Sequence, residues 1–291
     1  MGNVERASAV VVTFHPDAQD LQNIAAIGAQ VELLIVVDNG SSERDLTQIR
    51  LNSQAPGFVL IENGENLGVA AALNLGVQEA LKQGYQWIAL FDQDSAVTDG
   101  FIASMIEDFQ ACRAQKQIMQ MIPRYRDPKT GLEGSVSEFG DGGAFLTITS
   151  GSLFSREAFA ECGLFREDLF VYGVDDDYSL RIRRKGFFIG VSQNAVLLHQ
   201  SGHPTSRRVF GKTLTTKNYR PESRYYYARN KVWILRTYAG VFPRLLIPTL
   251  REFVTIPLKI ALIEEAPGRK IKLFIRGLLD GVAGRMGRLS Q

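Results

Sequence analysis

The chain has 291 residues, of which 45% are hydrophobic and 22% charged, and a net charge of +2. That is enough chain to bury a full core, and the fractions exclude a disordered or fibrous protein. Two cysteines, Cys112 and Cys162, point away from a disulfide framework and towards a reducing compartment, and the first residues lack the apolar stretch of a signal peptide.

Residues 9–13 (Ala-Val-Val-Val-Thr) read as the first strand, broken by Phe14, His15 and Pro16. A helix follows from Asp17, its cap, to about Ala29. Leu33 to Val37 is a second buried strand. It ends in Asp38-Asn39-Gly40-Ser41-Ser42, a turn with a carboxylate at the strand tip. Gly57 to Ile61 gives a third strand, and Glu65-Asn66-Leu67-Gly68 leads into a helix from Val69 to Lys82. Trp87 to Phe91 is a fourth strand, which ends in Asp92-Gln93-Asp94-Ser95. Strand–helix alternation of this kind predicts a mostly parallel, Rossmann-like α/β sheet with right-handed crossovers.

At the carboxyl end of a parallel strand, Asp92 and Asp94 point into the crevice where open α/β sheets bind ligands. Two such carboxylates can hold a divalent cation, and the cation can hold phosphate. The blander reading of this triplet is a turn or a helix cap. No Gly-x-Gly-x-x-Gly follows the first strand and no complete Gly-x-x-x-x-Gly-Lys-Ser/Thr loop exists (Gly211-Lys212-Thr213 has Ser206 where the first glycine would stand), which counts against dinucleotide-binding dehydrogenases and P-loop enzymes.

Further along, a helix is expected from Asp99 to Ala114 and a strand from Gln117 to Ile122. Residues 124–143 read as a polar loop, Phe145 to Thr149 as a strand running into Ser150 and Gly151, and Ser155 to Cys162 as a short helix. Asp175, Asp176 and Asp177 open a helix that runs to Lys185. Acidic residues at a helix start complement its dipole, but three in a row repel one another and raise a pKa, which suits a general base. Phe187–Val191 and Ala195–Leu198 are short strands, and His199 at the end of the second is a candidate third metal ligand.

Charge is unevenly spread. Residues 1–204 hold 15 Lys and Arg against 26 Asp and Glu, a balance of −11, whereas residues 205–291 hold 18 against 5, a balance of +13. We therefore expect two domains, a catalytic one over 1–204 and a basic, mainly helical one over 205–291. After a loop over 201–221, helices are expected from Glu222 to Tyr238 and from Lys270 to Leu279. The apolar stretch 241–263 is too often interrupted by charge to span a bilayer, but it suits an interfacial position on an anionic membrane. Nucleic acid fits poorly, because no recognition motif is present.

Together these stretches resemble glycosyltransferase family 2, the inverting GT-A enzymes, and more narrowly the bacterial rhamnosyltransferases of O-antigen and related polysaccharides. The resemblance rests on Val12-Thr13-Phe14, on Val37 to Ser41, on Glu65 to Asn74 and on Phe91-Asp92-Gln93-Asp94-Ser95. It continues through Val174 to Arg181, His199 and Arg224 to Asn230, in family order. It implies a GT-A fold and transfer of L-rhamnose from dTDP-L-rhamnose to a glycan on a polyprenyl-diphosphate carrier, at the inner face of the bacterial plasma membrane. Other nucleotide sugars (galactofuranosyl, glucosyl or N-acetylhexosaminyl donors) and a non-catalytic sugar-nucleotide-binding protein are the alternatives. By position, Thr13, Phe14, Asp38, Asn66 and Asp92 would hold the nucleotide. Asp94 and His199 would bind Mg²⁺ or Mn²⁺. Ser150 and Gly151 would lie near donor sugar and acceptor, and Asp175 would be the base. Relatives often carry Asp-Thr-Glu and then Trp at the base motif. Here Asp175-Asp176-Asp177-Tyr178 stands instead, so Asp176 and Asp177 compete for the role. Monomer and homo-oligomer are both compatible with the sequence.

Overall fold

The structure is a computed structural model and describes residues 6–52, 56–127, 131, 134, 136–198, 205–209, 212–216 and 218–289. The chain divides into two compact units. One holds Met1–Arg166 and Tyr178–Gln200, the other Glu167–Asp177 and Ser201–Gln291. Residues 167–177, which the sequence reading grouped with the first 204, thus belong with the basic C-terminal part.

The first unit begins β1 (Ala7–Thr13), α1 (Ala18–Gly28), β2 (Leu33–Asp38), α2 (Glu43–Asn52), β3 (Phe58–Glu62), α3 (Val69–Lys82) and β4 (Trp87–Asp92). It continues β5 (Ala96–Val97), α4 (Phe101–Arg113), β6 (Ile118–Arg126), β7 (Glu138–Phe139), β8 (Gly143–Ala144), β9 (Ser152–Ser155) and α5 (Arg156–Cys162). Helix α6 (Val174–Arg184) runs from the second unit into the first, and β10 (Phe188–Leu198) follows. Eight strands form one mixed sheet in the order β3-β2-β1-β4-β9-β6-β10-β5. Strands β1, β2, β3 and β4 are mutually parallel, as is the β6–β10 pair; β9 runs antiparallel between β4 and β6. Every residue of β2 is buried, as a strand covered on both faces requires. Trp87 packs edge-on against Phe109 of α4, with ring centroids 4.6 Å apart.

Several expectations need correction. The β-branched stretch Phe145–Thr149 is not a strand; the strand there is Ser152–Ser155, all four of its residues buried. The two short strands around residue 192 are one strand with a bulge between Val191 and Val196. Asp108 of α4 fixes the bulge by accepting from the backbone N–H groups of Gln193 and Asn194. Helix α2 and the hairpin β11 (Thr205–Val209) with β12 (Lys212–Thr216) were not expected at all.

The second unit adds α7 (Pro221–Tyr238), α8 (Leu246–Ile263) and α9 (Pro267–Ala283) to that hairpin. Helices α7 and α9 approach so closely that a Cβ on Gly277 would sit 2.3 Å from the carbonyl oxygen of Tyr225. Where α7 and α9 meet β12, Glu264 accepts from Thr216 and Lys270 and pairs with Arg224, so its buried charge is compensated. Among the described residues, no helix is long and apolar enough to cross a membrane.

Candidate active site

The parallel strands bring three expected residues to one edge. In register, Thr13 lies opposite Asp38, and Val12 is flanked by Val37 on one side and Asp92 on the other. The chain builds outward from β1 to β2 and β3, then returns to lay β4 against the other side of β1. Strand order reverses there, and the carboxyl edge at such a reversal is where α/β sheets bind ligands.

The side chains at this edge divide into supports and exposed groups. Thr13 and Asp38 are buried, and Asp38 has its oxygens engaged. It accepts from the Thr13 hydroxyl at 3.1 Å, from the backbone N–H of Gly40 and Ser41 at 3.1 and 2.9 Å, and from the Ser41 hydroxyl. Four donors match the roughly four lone-pair sites of a carboxylate. Asp38 therefore shapes the 38–42 loop. Gly40 in that loop, at φ 94°, lies so near the next loop that a Cβ would be 2.6 Å from the Glu65 carbonyl carbon. Asn66 belongs to the same joint: it accepts from the Gly68 N–H at 2.9 Å and from the Asn39 amide at 3.3 Å. Asn39 in turn accepts from Leu67 N–H and the Asn63 amide. Asn39 and Asn63 were not singled out from sequence, although the first stood in the recognised turn.

Phe14, 42% exposed, presents its ring at the end of β1, edge-on to His15 at 4.4 Å. His15 has a φ of 52°, an uncommon conformation for a side chain of its size, held by Ser41 and Asp45. Gln93, passed over in the sequence, accepts from the Phe14 N–H and donates to Asp20, both at 2.7 Å. It thereby ties the β4 tip to the start of α1, where Asp17 makes the expected cap as a full capping box.

Asp92 and Asp94 are both solvent-exposed. Crowding by surrounding protein pushes the Asp92 pKa up, and the like charge of Asp94 adds to it; the water that reaches Asp92 limits the size of the shift. Asp20 is raised as well, from burial first, with charge from Asp17 and Asp94 contributing. The β4 tip is thus a patch of mutually repelling carboxylates, which a cation would relieve. Among the described residues no three side chains of metal-binding type come together. The set fits a hard cation that takes one or two carboxylates and completes its shell with phosphate and water, as Mg²⁺ does. His199, expected as a ligand, lies outside the described residues.

Ser150 is buried, with its hydroxyl 2.5 Å from that of Ser95 directly after Asp94. The Gly151 N–H donates to the Leu90 carbonyl of β4 at 2.8 Å. Ser150 and Gly151 are thus fastened to the β4 tip.

In the second unit the three aspartates opening α6 have separate surroundings. Asp177, 1% exposed, accepts from the Tyr238 hydroxyl at 2.6 Å. Asp176 pairs with Lys231 at 3.0 Å. Asp175, part-exposed, accepts from the Asp176 N–H at 3.0 Å, and its pKa is pushed up to about 7, first by burial and then by the charge of Asp176, with Lys231 opposing. The loop before α6 is contorted: Phe170, Tyr172 and Gly173 have φ of 65°, 59° and 76°. Asn230 of α7 holds it, its amide nitrogen 2.7–2.9 Å from the carbonyl oxygens of Leu169, Val171 and Tyr172. Buried Arg229 donates to the carbonyls of Asp168 and Leu169. In the sequence Arg229 and Asn230 stand only as part of the Arg224–Asn230 motif; their buried structural role depends on carbonyls about 60 residues away and has no local signal.

A sheet whose switch point carries repelling carboxylates, at the edge where α/β sheets bind ligands, marks an α/β ligand-binding protein. The model of the family described as glycosyl transferase family 2 matches residues 10–163, more than half of the chain, and the chain belongs to that family: it is a glycosyltransferase of GT-A fold. It is 29% identical over 96% of its length, and 96% of the relative's, to the dTDP-rhamnosyl transferase RfbF of Shigella flexneri. It is 25% identical to the galactofuranosyltransferase GlfT1 of Mycobacterium tuberculosis, over 79% of this chain and 82% of that one. Among solved structures, the mannosyltransferase PcManGT of Pyrobaculum calidifontis, with GDP-Man and Mn²⁺, superimposes with a TM-score of 0.59 at 16% identity, covering 98% of this chain and 76% of that one. S. aureus TarS 1–349 with UDP gives 0.53 at 13% identity, covering 96% and 72%. These two likenesses show the fold.

Proposed function

We propose that the enzyme transfers L-rhamnose from dTDP-L-rhamnose to a glycan on a polyprenyl-diphosphate carrier, at the anionic inner surface of a bacterial plasma membrane. The observation that carries the choice of donor is likeness to a dTDP-rhamnosyl transferase across 96% of both chains. In this reading Phe14 and the loops organised by Thr13, Asp38 and Asn66 receive the nucleotide, and Ser150 and Gly151 border the sugar. Asp94, with Asp92 beside it, holds Mg²⁺ or Mn²⁺, which when bound supplies positive charge to the diphosphate.

Asp175 takes the proton of the acceptor hydroxyl. That oxygen forms its bond to the anomeric carbon as the bond from carbon to diphosphate oxygen breaks, and dTDP leaves with the electron pair. One displacement inverts the configuration, so the reaction has no covalent sugar–enzyme intermediate. Asp175 suits the role better than its neighbours: Asp176 is neutralised by Lys231, and Asp177 is buried against Tyr238.

The test is turnover by the purified chain on a donor panel of dTDP-rhamnose, UDP-galactofuranose, UDP-N-acetylglucosamine and GDP-mannose, with product configuration read by NMR. Highest kcat/KM for dTDP-rhamnose with inversion is expected. A better UDP-galactofuranose donor would move the enzyme towards its galactofuranosyl relatives, and retention of configuration would reject the mechanism.

A further inference from the structure

The exposed side of α8 is the wrong chemistry for water. Ile247, Leu250, Val254, Leu258 and Leu262 recur at the helical period along one side of it and are 43% to 81% exposed. The opposite side, with Thr249, Ile260 and Ile263, is buried in the unit. A helix apolar on both sides belongs either in a core or against lipid. Yet α8 carries Arg251, Glu252 and Lys259 within its 18 residues and cannot span a bilayer. Helix α9 repeats the arrangement on a smaller scale, with Ile275, Leu279 and Val282 exposed in line.

The charges indicate what covers these residues. The exposed arc of α8 includes Arg251, with Lys259 at its margin, and has no exposed carboxylate: Glu252 is engaged by Tyr227. On α9 the exposed charges are Lys272, Arg269, which pairs with Glu222, and Arg276, which lies 3.7 Å from Asp280; Asp280, the one carboxylate of the helix, is buried and accepts from Tyr225. A second copy of this chain is disfavoured, because a two-fold interface would set the same basic surface against itself in a region whose balance is +13. Nucleic acid would satisfy the cations but leave the aliphatic line in water. An anionic lipid surface satisfies both, with phosphates at the level of the Arg and Lys heads and acyl chains beneath.

We infer that α8, assisted by α9, is a monotopic membrane anchor that lies in the plane of an anionic leaflet with the Ile247–Leu262 line buried among acyl chains. In its purpose, though not in its evidence, this rests on the lipid-linked acceptor proposed above. It holds for any donor sugar.

The experiment is co-sedimentation of the full chain with vesicles of phosphatidylcholine alone and of phosphatidylcholine with about one-third phosphatidylglycerol. The native chain should bind the anionic vesicles, and raised salt should weaken binding. Val254→Glu combined with Leu258→Glu changes only exposed side chains, so circular dichroism and hydrolysis of donor in solution should match the native chain. Partitioning should fall by about tenfold or more, since two aliphatic side chains lose their burial and two carboxylates meet anionic lipid. Arg251→Gln with Lys259→Gln should weaken binding less and flatten its salt dependence. Failure of the native chain to bind, or undiminished binding by the double Glu variant, overturns the inference. So does a native dimer, seen by light scattering, that the double Glu variant splits, which would assign the surface to a second copy. Because vesicle binding needs no donor, these outcomes are read separately from the donor panel.

Discussion

Asp175 is held where the protonated acid is favoured, so its chemistry and its stability oppose each other. As a base it must be ionised, and activity should rise with pH to a plateau reached above about 7. Its folded pKa lies above its unfolded value. The stability it contributes is therefore complete below the unfolded pKa near 4 and is lost as pH rises through the folded value. Asp175→Asn removes the titration. It should lower kcat by about 10²–10⁴-fold with donor binding kept, and raise the melting temperature at pH 8 more than at pH 4. Titration calorimetry for the donor and scanning calorimetry at the two pH values check both halves. Asn230 acts one step further back. Three carbonyls share its two N–H donors, and Asn230→Asp offers none in their place. A loss of about 1–3 kcal/mol in urea unfolding is expected, with kcat falling more than donor affinity. Equal loss of both would make the residue merely structural.

At the scale of elements, legibility in the sequence followed local periodicity and capping. Helix α3 has the expected bounds, Val69–Lys82, because an Ala- and Leu-rich face and flanking glycines are local signals. Helix α2 escaped because only Leu46 and Ile49 of its ten residues are buried apolar ones. Strand β9 escaped for the opposite reason. Ser152 and Ser155 look like loop residues, yet they are buried, and Ser152 accepts from Gln120 on neighbouring β6. That partner is 32 residues away, and no window of local sequence contains it. The site divides the same way. Carboxylates at strand tips were readable, whereas Gln93 and Asn230, whose meaning lies in distant partners, were not. Gly277 is an element-scale test of such long-range packing. Alanine there gains helix propensity of about 1 kcal/mol, but its Cβ would meet a backbone oxygen of α7 that cannot swing aside. The clash should win, and Gly277→Ala should destabilise by about 1–3 kcal/mol in urea unfolding; a stabilised variant would mean that the two helices move apart freely.

At the scale of the whole molecule, the division into two units predicts where the stabilisation given by a bound ligand should appear. The residues proposed to hold nucleotide and cation all lie in the first unit, whereas the basic helices lie in the second. A ligand that binds only the folded state stabilises by mass action, about 2.7 kcal/mol at one hundred times its Kd. We expect dTDP with Mn²⁺ to raise the melting transition of the first unit and to move that of the second less. EDTA should cancel the part that depends on metal and leave the part due to nucleotide alone. Asp94→Asn should behave like permanent EDTA, because it removes one of the two carboxylates whose repulsion the cation relieves. The same variant without ligand should be no less stable than the native chain, since an exposed carboxylate beside another contributes repulsion rather than support. Scanning calorimetry of the two proteins with dTDP, with dTDP and Mn²⁺, and with EDTA added separates these effects. A metal-dependent shift that survives Asp94→Asn would place the cation elsewhere.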